Sequence, residues 1–220
     1  MKLFIKSFFV VFFVNFLLIF LFENFLEIER SAPLLMVFQI ALMTVYMAFF
    51  SKNSMEKFGI CLPNKESWFS AVFWVLLLSV ITNICLRSFT RGQMHPIFSN
   101  YSDVEILFIF TVCSPISQEL LFRGWVMQIV EPLKRRGLLL AGIFLSFPVL
   151  ISTLWFILDQ LDLFFMEMSI PFVLIAIASA LFFGVLAGYY REKTKSLFVP
   201  IILHSIFNLV TCVFYYSNRL

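Results

Sequence analysis

Apolar residues fill this chain in runs too long and too unbroken for one face of a soluble helix. Lys2 and Lys6 precede a first run from Ser7 to Phe22. That run is too long for a signal-sequence core and lacks a small-x-small cleavage site, so it predicts a retained anchor. Further runs cover Ala32–Phe50 and Trp68–Leu86, then begin near Val104, Leu138 and Ile170, and the last extends from Leu197 to Tyr216. A membrane-crossing helix needs about 20 apolar residues. The pattern predicts an all-α, polytopic membrane bundle of about seven transmembrane helices in a single domain over residues 1–220. The fifth run is longer than one crossing requires, so an eighth short or re-entrant segment around Asp159–Met168 is also expected.

The polar connections orient these helices. With the N-terminus inside, the inner side receives Lys2, Lys6, Lys52, Lys57, Lys65, Arg123, the Lys134-Arg135-Arg136 run, Arg191, Lys193 and Lys195. The outer side receives only Arg30, Arg87, Arg91 and Arg219. An excess of Lys and Arg marks cytoplasmic loops, which predicts a cytoplasmic N-terminus and an external C-terminus, in the manner of a bacterial cytoplasmic membrane protein. The Ser51–Ser67 segment is the longest inner loop and Arg87–Asp103 the longest outer one. His95, beside Pro96 in that outer loop, reads as an ordinary loop histidine.

Composition sharpens the class. The chain is 61% hydrophobic and 13% charged, with mean hydropathy +0.97, whereas soluble domains are about 45–50% apolar and about 25% charged. The net charge of +3 carries no nucleic-acid signature, and membrane lipids are the first partners to expect. Cys61, Cys85, Cys113 and Cys212 have no CxxC spacing and read as small core residues, with no metal or cofactor implied.

Against this background a few polar residues stand out. In Pro115-Ile-Ser-Gln-Glu-Leu-Leu-Phe-Arg-Gly124, Gln118, Glu119 and Arg123 fall within two helical turns. An ionisable group at bilayer depth costs roughly 2.5–3.5 kcal/mol on insertion scales, so it faces protein or a wet cavity. Glu119 and Arg123 are spaced i,i+4 with the acid first, the favourable order for a helical ion pair. Further on, Gly184 and Gly188 form a GxxxG pair that lets two helix backbones approach. His204 and Asn208, also i,i+4, project from one face of the last helix. A structural ion pair and a structural hydrogen bond explain these pairs as readily as chemistry does.

Taken together these stretches resemble the CPBP family, the CAAX-protease and bacteriocin-processing membrane proteins related to the prenyl-protein endopeptidase Rce. The first family motif, Glu-Glu-x-x-x-Arg, is matched by Gln118-Glu119-Leu-Leu-Phe-Arg123. The last, His-x-x-x-Asn, is matched by His204-Ser-Ile-Phe-Asn208. The likeness covers roughly residues 104–210, the core that carries the motifs. It implies a glutamic-type intramembrane endopeptidase with no metal. The first Glu of the first motif and a His on the fifth helix activate water, while the last His and Asn hold the oxyanion.

Two positions depart from that pattern. Gln118, an amide, stands where the water-activating Glu belongs, and no histidine lies between the end motifs. The best local match to the middle Phe-x-x-x-His is Trp155-Phe-Ile-Leu-Asp159, with Asp in place of His. The interval from Gln118 to Asp159 is several residues longer than the family's usual spacing, and Ile151 or Ser152 would fit the depth better. The sequence therefore favours a degenerate member, a pseudoprotease that binds or regulates another membrane or envelope protein, as bacteriocin-immunity relatives suggest. The alternative is an active endopeptidase on a CAAX-like, lipidated or membrane-anchored peptide, with Asp159 as the carboxylate base. Gln118, Glu119, Arg123, Asp159, His204 and Asn208 are the candidate site residues for either.

Overall fold

The computed structural model describes residues 2–7, 9, 11, 32–50, 54–64, 68–90, 93, 98 and 101–217. Almost all of the expected first span lies outside them, as does His95. The described chain is a helical bundle: α1 (Ala32–Phe50), α2 (Phe69–Phe89), α3 (Asp103–Leu133), α4 (Phe147–Asp159), α5 (Ile170–Thr194) and α6 (Phe198–Ser217). Among the described residues α2, α3, α5 and α6 are each long and apolar enough to cross a bilayer. Exposed Phe73, Trp74, Leu174, Phe182 and Val213 cover their outer faces, as lipid-facing surfaces require. The protein is an integral membrane protein with an all-α architecture.

The fifth expected span is corrected. Residues that read as its first turns form a two-stranded antiparallel hairpin, β1 (Gly137–Leu140) and β2 (Ile143–Ser146). Its two-residue turn, Ala141-Gly142, has positive φ at both positions, +49° and +81°, the backbone twist that suits a tight hairpin. Gly137 is equally fixed, because a Cβ there would lie 2.1 Å from the Leu145 carbonyl oxygen. Only at Ser146 does helix begin. The Ser146 hydroxyl accepts from the Val149 N–H and Pro148 occupies the first turn, a strong helix-start combination. The resulting α4 has 13 residues, about 20 Å at 1.5 Å per residue, too short to cross a hydrocarbon core about 30 Å thick. The short segment expected near Asp159–Met168 is a single helical turn, Asp162–Phe165.

α3 is interrupted twice by wider π-type turns, Ile109–Cys113 and Leu120–Val126. Such bulges release backbone carbonyls and recur at functional sites. Its start is fixed by a capping box: the Ser102 hydroxyl receives the Glu105 N–H and the Glu105 carboxylate receives the Ser102 N–H. α4 packs along α5 through the paired glycines. A Cβ on Gly184 would lie 2.8 Å from Thr153 Cγ2, and one on Gly188 3.0 Å from Val149 Cγ1. The expected close approach of backbones is therefore real, and its partner is α4.

At the C-terminal end of α5, residues 54–64 form a strap over the turn into α6. The Leu197 N–H donates to Gly59 O (2.7 Å), the Asn64 N–H to Thr194 O (3.1 Å) and the Ser196 hydroxyl to Cys61 O (2.5 Å). The turn itself forms because Lys195 adopts the left-handed conformation, φ +57°, while the Ser196 hydroxyl caps α6 by accepting from Phe198 N–H. The strap thus sets where α6, and His204 on it, begins.

Candidate functional site

The site lies where α3, α5 and α6 converge, and its centre is Glu119. One carboxylate oxygen, Oε1, lies 2.9 Å from Arg123 Nη1 and 2.8 Å from His204 Nδ1. Glu119 and Arg123 are completely buried and the His204 side chain is 7% exposed. Arg123, expected near the inner surface, is instead deep in the bundle. Its guanidinium lies over the Phe156 ring at 4.5 Å and near the Phe183 ring at 5.8 Å, and Nη2 donates to Gly184 O at 3.4 Å. A buried ion pair holds only where geometry is good and further polar contacts meet its remaining atoms. Here the aromatic faces and the glycine carbonyl supply part of that.

The His204 ring meets through Nδ1 the same Glu119 oxygen that Arg123 holds. Phe183 packs on the ring at 4.7 Å and Phe156 meets it edge-on at 5.8 Å. These contacts fix the ring plane. Asn208, one turn further along α6, donates Nδ2–H to the carbonyl of Phe110 at 2.6 Å, within the first π-type turn of α3.

Gln118 lies beside this cluster but is not part of it. Half-buried, it donates from Nε2 to Asp159 Oδ2 at 3.4 Å, a long contact across α3 and α4. Of the three residues weighed for the middle motif, Asp159 is the one that meets Gln118. The hairpin explains why, because β1 and β2 take up chain that a continuous helix would have spent climbing back past Gln118. Ser152 instead donates to its own helix at Val149 O (3.0 Å), and Ile151 packs against the apolar core.

The structure therefore assembles two polar groups: Glu119 with Arg123 and His204, and Gln118 with Asp159, with Asn208 tied to α3 on its own. Of the five buried side-chain polar atoms without a hydrogen-bond partner among the described residues, Glu119 Oε2, Arg123 Nε and Thr153 Oγ1 lie at this site. Thr153, Phe156 and Phe183 were not among the residues singled out from sequence. Phe156 falls inside the Trp155–Asp159 match to the middle motif and Phe183 directly precedes the GxxxG, but neither pattern states a role for the ring. A second feature flanks the site. Ile116 and Leu120, from the turns of α3 that carry Gln118 and Glu119, line a cavity of about 210 Å³ whose other walls are Ile40, Thr44, Met55, Ile60, Leu197, Phe198 and Ile201. Apart from Thr44 its walls are apolar.

No curated protein and no solved structure matches this chain. The family model described as type II CAAX prenyl endopeptidase Rce1-like matches residues 68–210. That stretch begins at the entry to α2, ahead of the part in which the motifs lie, and runs past Asn208 to take in every member of both polar groups. The match covers most of the chain, from α2 through most of α6 and including the motif residues, and the chain belongs to the Rce1-like family of CAAX prenyl endopeptidases.

Proposed function

We propose that this family member works by binding a membrane-embedded or lipidated partner rather than by cutting it. The observation that carries the reading is the state of Gln118. At the position of the water-activating carboxylate stands an amide, without basicity at neutral pH, and its N–H is directed at Asp159. The adjacent Glu119 is no substitute, since its Oε1 is bound by both Arg123 and His204 and the side chain is wholly buried. The oxyanion half of the family's chemistry is also unready. His204 Nδ1 is already engaged by Glu119 Oε1, and one amide hydrogen of Asn208 is already given to Phe110 O. A developing oxyanion needs fixed donors. The apolar cavity beside Leu120 suits an apolar side chain or chain end of a bound partner. A partner of this class is a membrane or envelope protein, in the manner of immunity or regulatory proteins.

One observation favours the second reading, an active endopeptidase. Asp159 brings a carboxylate to Gln118 from α4, the helix on which the family carries its histidine, and aspartate can serve as a general base. The test is cleavage of a quenched fluorescent, membrane-anchored or prenylated peptide by the purified chain, alongside Gln118→Glu and His204→Ala. The binding reading expects no turnover from the native chain with its fold intact, and co-purification of a membrane partner that His204→Ala weakens. Turnover that His204→Ala and Asp159→Asn both abolish overturns it. By the positive-inside distribution of Lys and Arg, we place the N-terminus and the Lys134–Arg136 end of α3 in the cytoplasm.

A further inference from the structure

The hairpin joins the two helices that carry Gln118 and Asp159, and its surface is unlike that of any ordinary connection. Leu138, Leu139 and Leu140 on β1 are 59%, 74% and 65% exposed, and Ile143 and Phe144 on β2 are 49% and 48% exposed. Cross-strand partners share a face, so Leu139 with Phe144 covers one side, and Leu140 with Ile143 the other. Both sides are therefore apolar. Water is a poor solvent for such a blade, because exposed patches of this kind mark an interaction site.

Hydrocarbon is no better. Leu140 and Ile143 close the two-residue turn as a hydrogen-bonded pair, so in the alternating antiparallel pattern Leu139 and Phe144 turn their N–H and C=O outward. Open strand edges do not occur in the lipid core, where each unmet group costs several kcal/mol. The base of the hairpin has a fixed level as well. The Ser146 hydroxyl donates to Glu192 Oε1 at 2.6 Å, within the last turn of α5, where Arg191, Glu192 and Lys193 cluster. α3 reaches the same layer: its 31 residues span about 46 Å, well beyond the core. Immediately after it come Lys134, Arg135 and Arg136, all exposed, with no ion-pair partner among the described residues.

We propose that Gly137–Ser146, with Lys134, Arg135 and Arg136 at its base, is an interfacial anchor that binds the anionic headgroup layer of the bilayer. There the leucines and Phe144 reach the acyl boundary, headgroups and interfacial water meet the open strand edges, and the three cations meet lipid phosphates. Juxtamembrane basic clusters gain attraction from each Lys or Arg close to an anionic surface. This inference is independent of whether the protein cuts or binds its partner.

Hydrogen exchange of the full chain in lipid nanodiscs tests it without altering the hairpin. Discs of phosphatidylcholine alone are compared with discs containing equal phosphatidylglycerol, following the peptide that covers residues 137–146. The expected result is exchange on the order of tenfold slower with the anionic lipid, and loss of that difference in the Lys134→Gln, Arg135→Gln, Arg136→Gln chain. Equal exchange in both discs overturns the proposal. If it is fast the hairpin stands in water, and if it is slow another part of the protein or a bound peptide covers it. A difference that survives the triple substitution also overturns it, since the cations would then not be the lipid contact.

Discussion

His204 Nδ1 stands 2.8 Å from Glu119 Oε1, joining helices 85 residues apart in sequence, with the acid entirely out of solvent. This bond makes Glu119 the node between α3 and α6, because Arg123 holds the same oxygen. Removing one member of a buried ion pair leaves the other unpaired, at about 3–5 kcal/mol. Glu119→Ala is therefore expected to lose that much stability in detergent unfolding. His204→Ala, which removes a hydrogen bond and a ring packed on Phe183, should lose about 1–3 kcal/mol. Equal, small losses in both would mean that the cluster does not hold the bundle together.

The close contact of α4 with α5 predicts a coupled pair. Gly184→Ala places a methyl 2.8 Å from Thr153 Cγ2 and 3.2 Å from Oγ1, an overpacking that costs about 1–3 kcal/mol in a tight interior. Thr153→Ala takes both offending atoms away. The double variant should recover most of the loss, and a double-mutant cycle in thermal unfolding measures the coupling. Additive losses would refute the contact.

Much of this architecture was legible in the chain. The apolar runs marked α1, α2, α3, α5 and α6 to within a few residues, since 20-residue hydrophobic stretches have few other destinations. The i,i+4 spacings of Glu119 with Arg123 and of His204 with Asn208 marked the polar positions. Failure came at Leu138, where apolarity alone does not separate strand from helix. The punctuation was present in Gly137, in Ala141-Gly142 and in Ser146-Phe-Pro148, but it is local and was outweighed by the hydrophobic run. That error propagated, because a continuous helix brings Ile151 or Ser152 level with Gln118 whereas the hairpin brings Asp159. The link between Glu119 and His204 was not legible at all, since nothing in either motif states which side chain across the bundle it meets.

Trp155 predicts a role for the N-terminal residues. Its indole Nε1–H donates to the buried Ser7 hydroxyl at 3.1 Å, and its ring stacks on Phe4 at 5.2 Å. Trp155→Phe keeps the aromatic surface and removes the donor. The expected loss is about 0.5–1.5 kcal/mol, the net worth of one hydrogen bond, together with faster protease cleavage near residues 2–7. Unchanged proteolysis would mean that the stack alone suffices.

Gly59 offers the most separable prediction, because two independent penalties fall on one position. Its φ is +85°, and a Cβ there would lie 2.3 Å from Arg191 Cζ. A side chain in that backbone region costs about 1–3 kcal/mol by itself. The guanidinium, at the end of a flexible side chain, can swing away, but Arg191 Nη2 then leaves Lys57 O, its 3.4 Å acceptor on the strap. Gly59 also accepts the 2.7 Å bond from Leu197 N–H that seats α6. Gly59→Ala should therefore lower the unfolding temperature and loosen the strap, read as faster exchange of the Asn64 and Leu197 amides. In an Arg191→Ala background the steric part vanishes while the conformational part stays, so Gly59→Ala should cost measurably less there than in the native chain. The same loss in both backgrounds would show that backbone strain, and not the guanidinium, is what demands glycine at this turn.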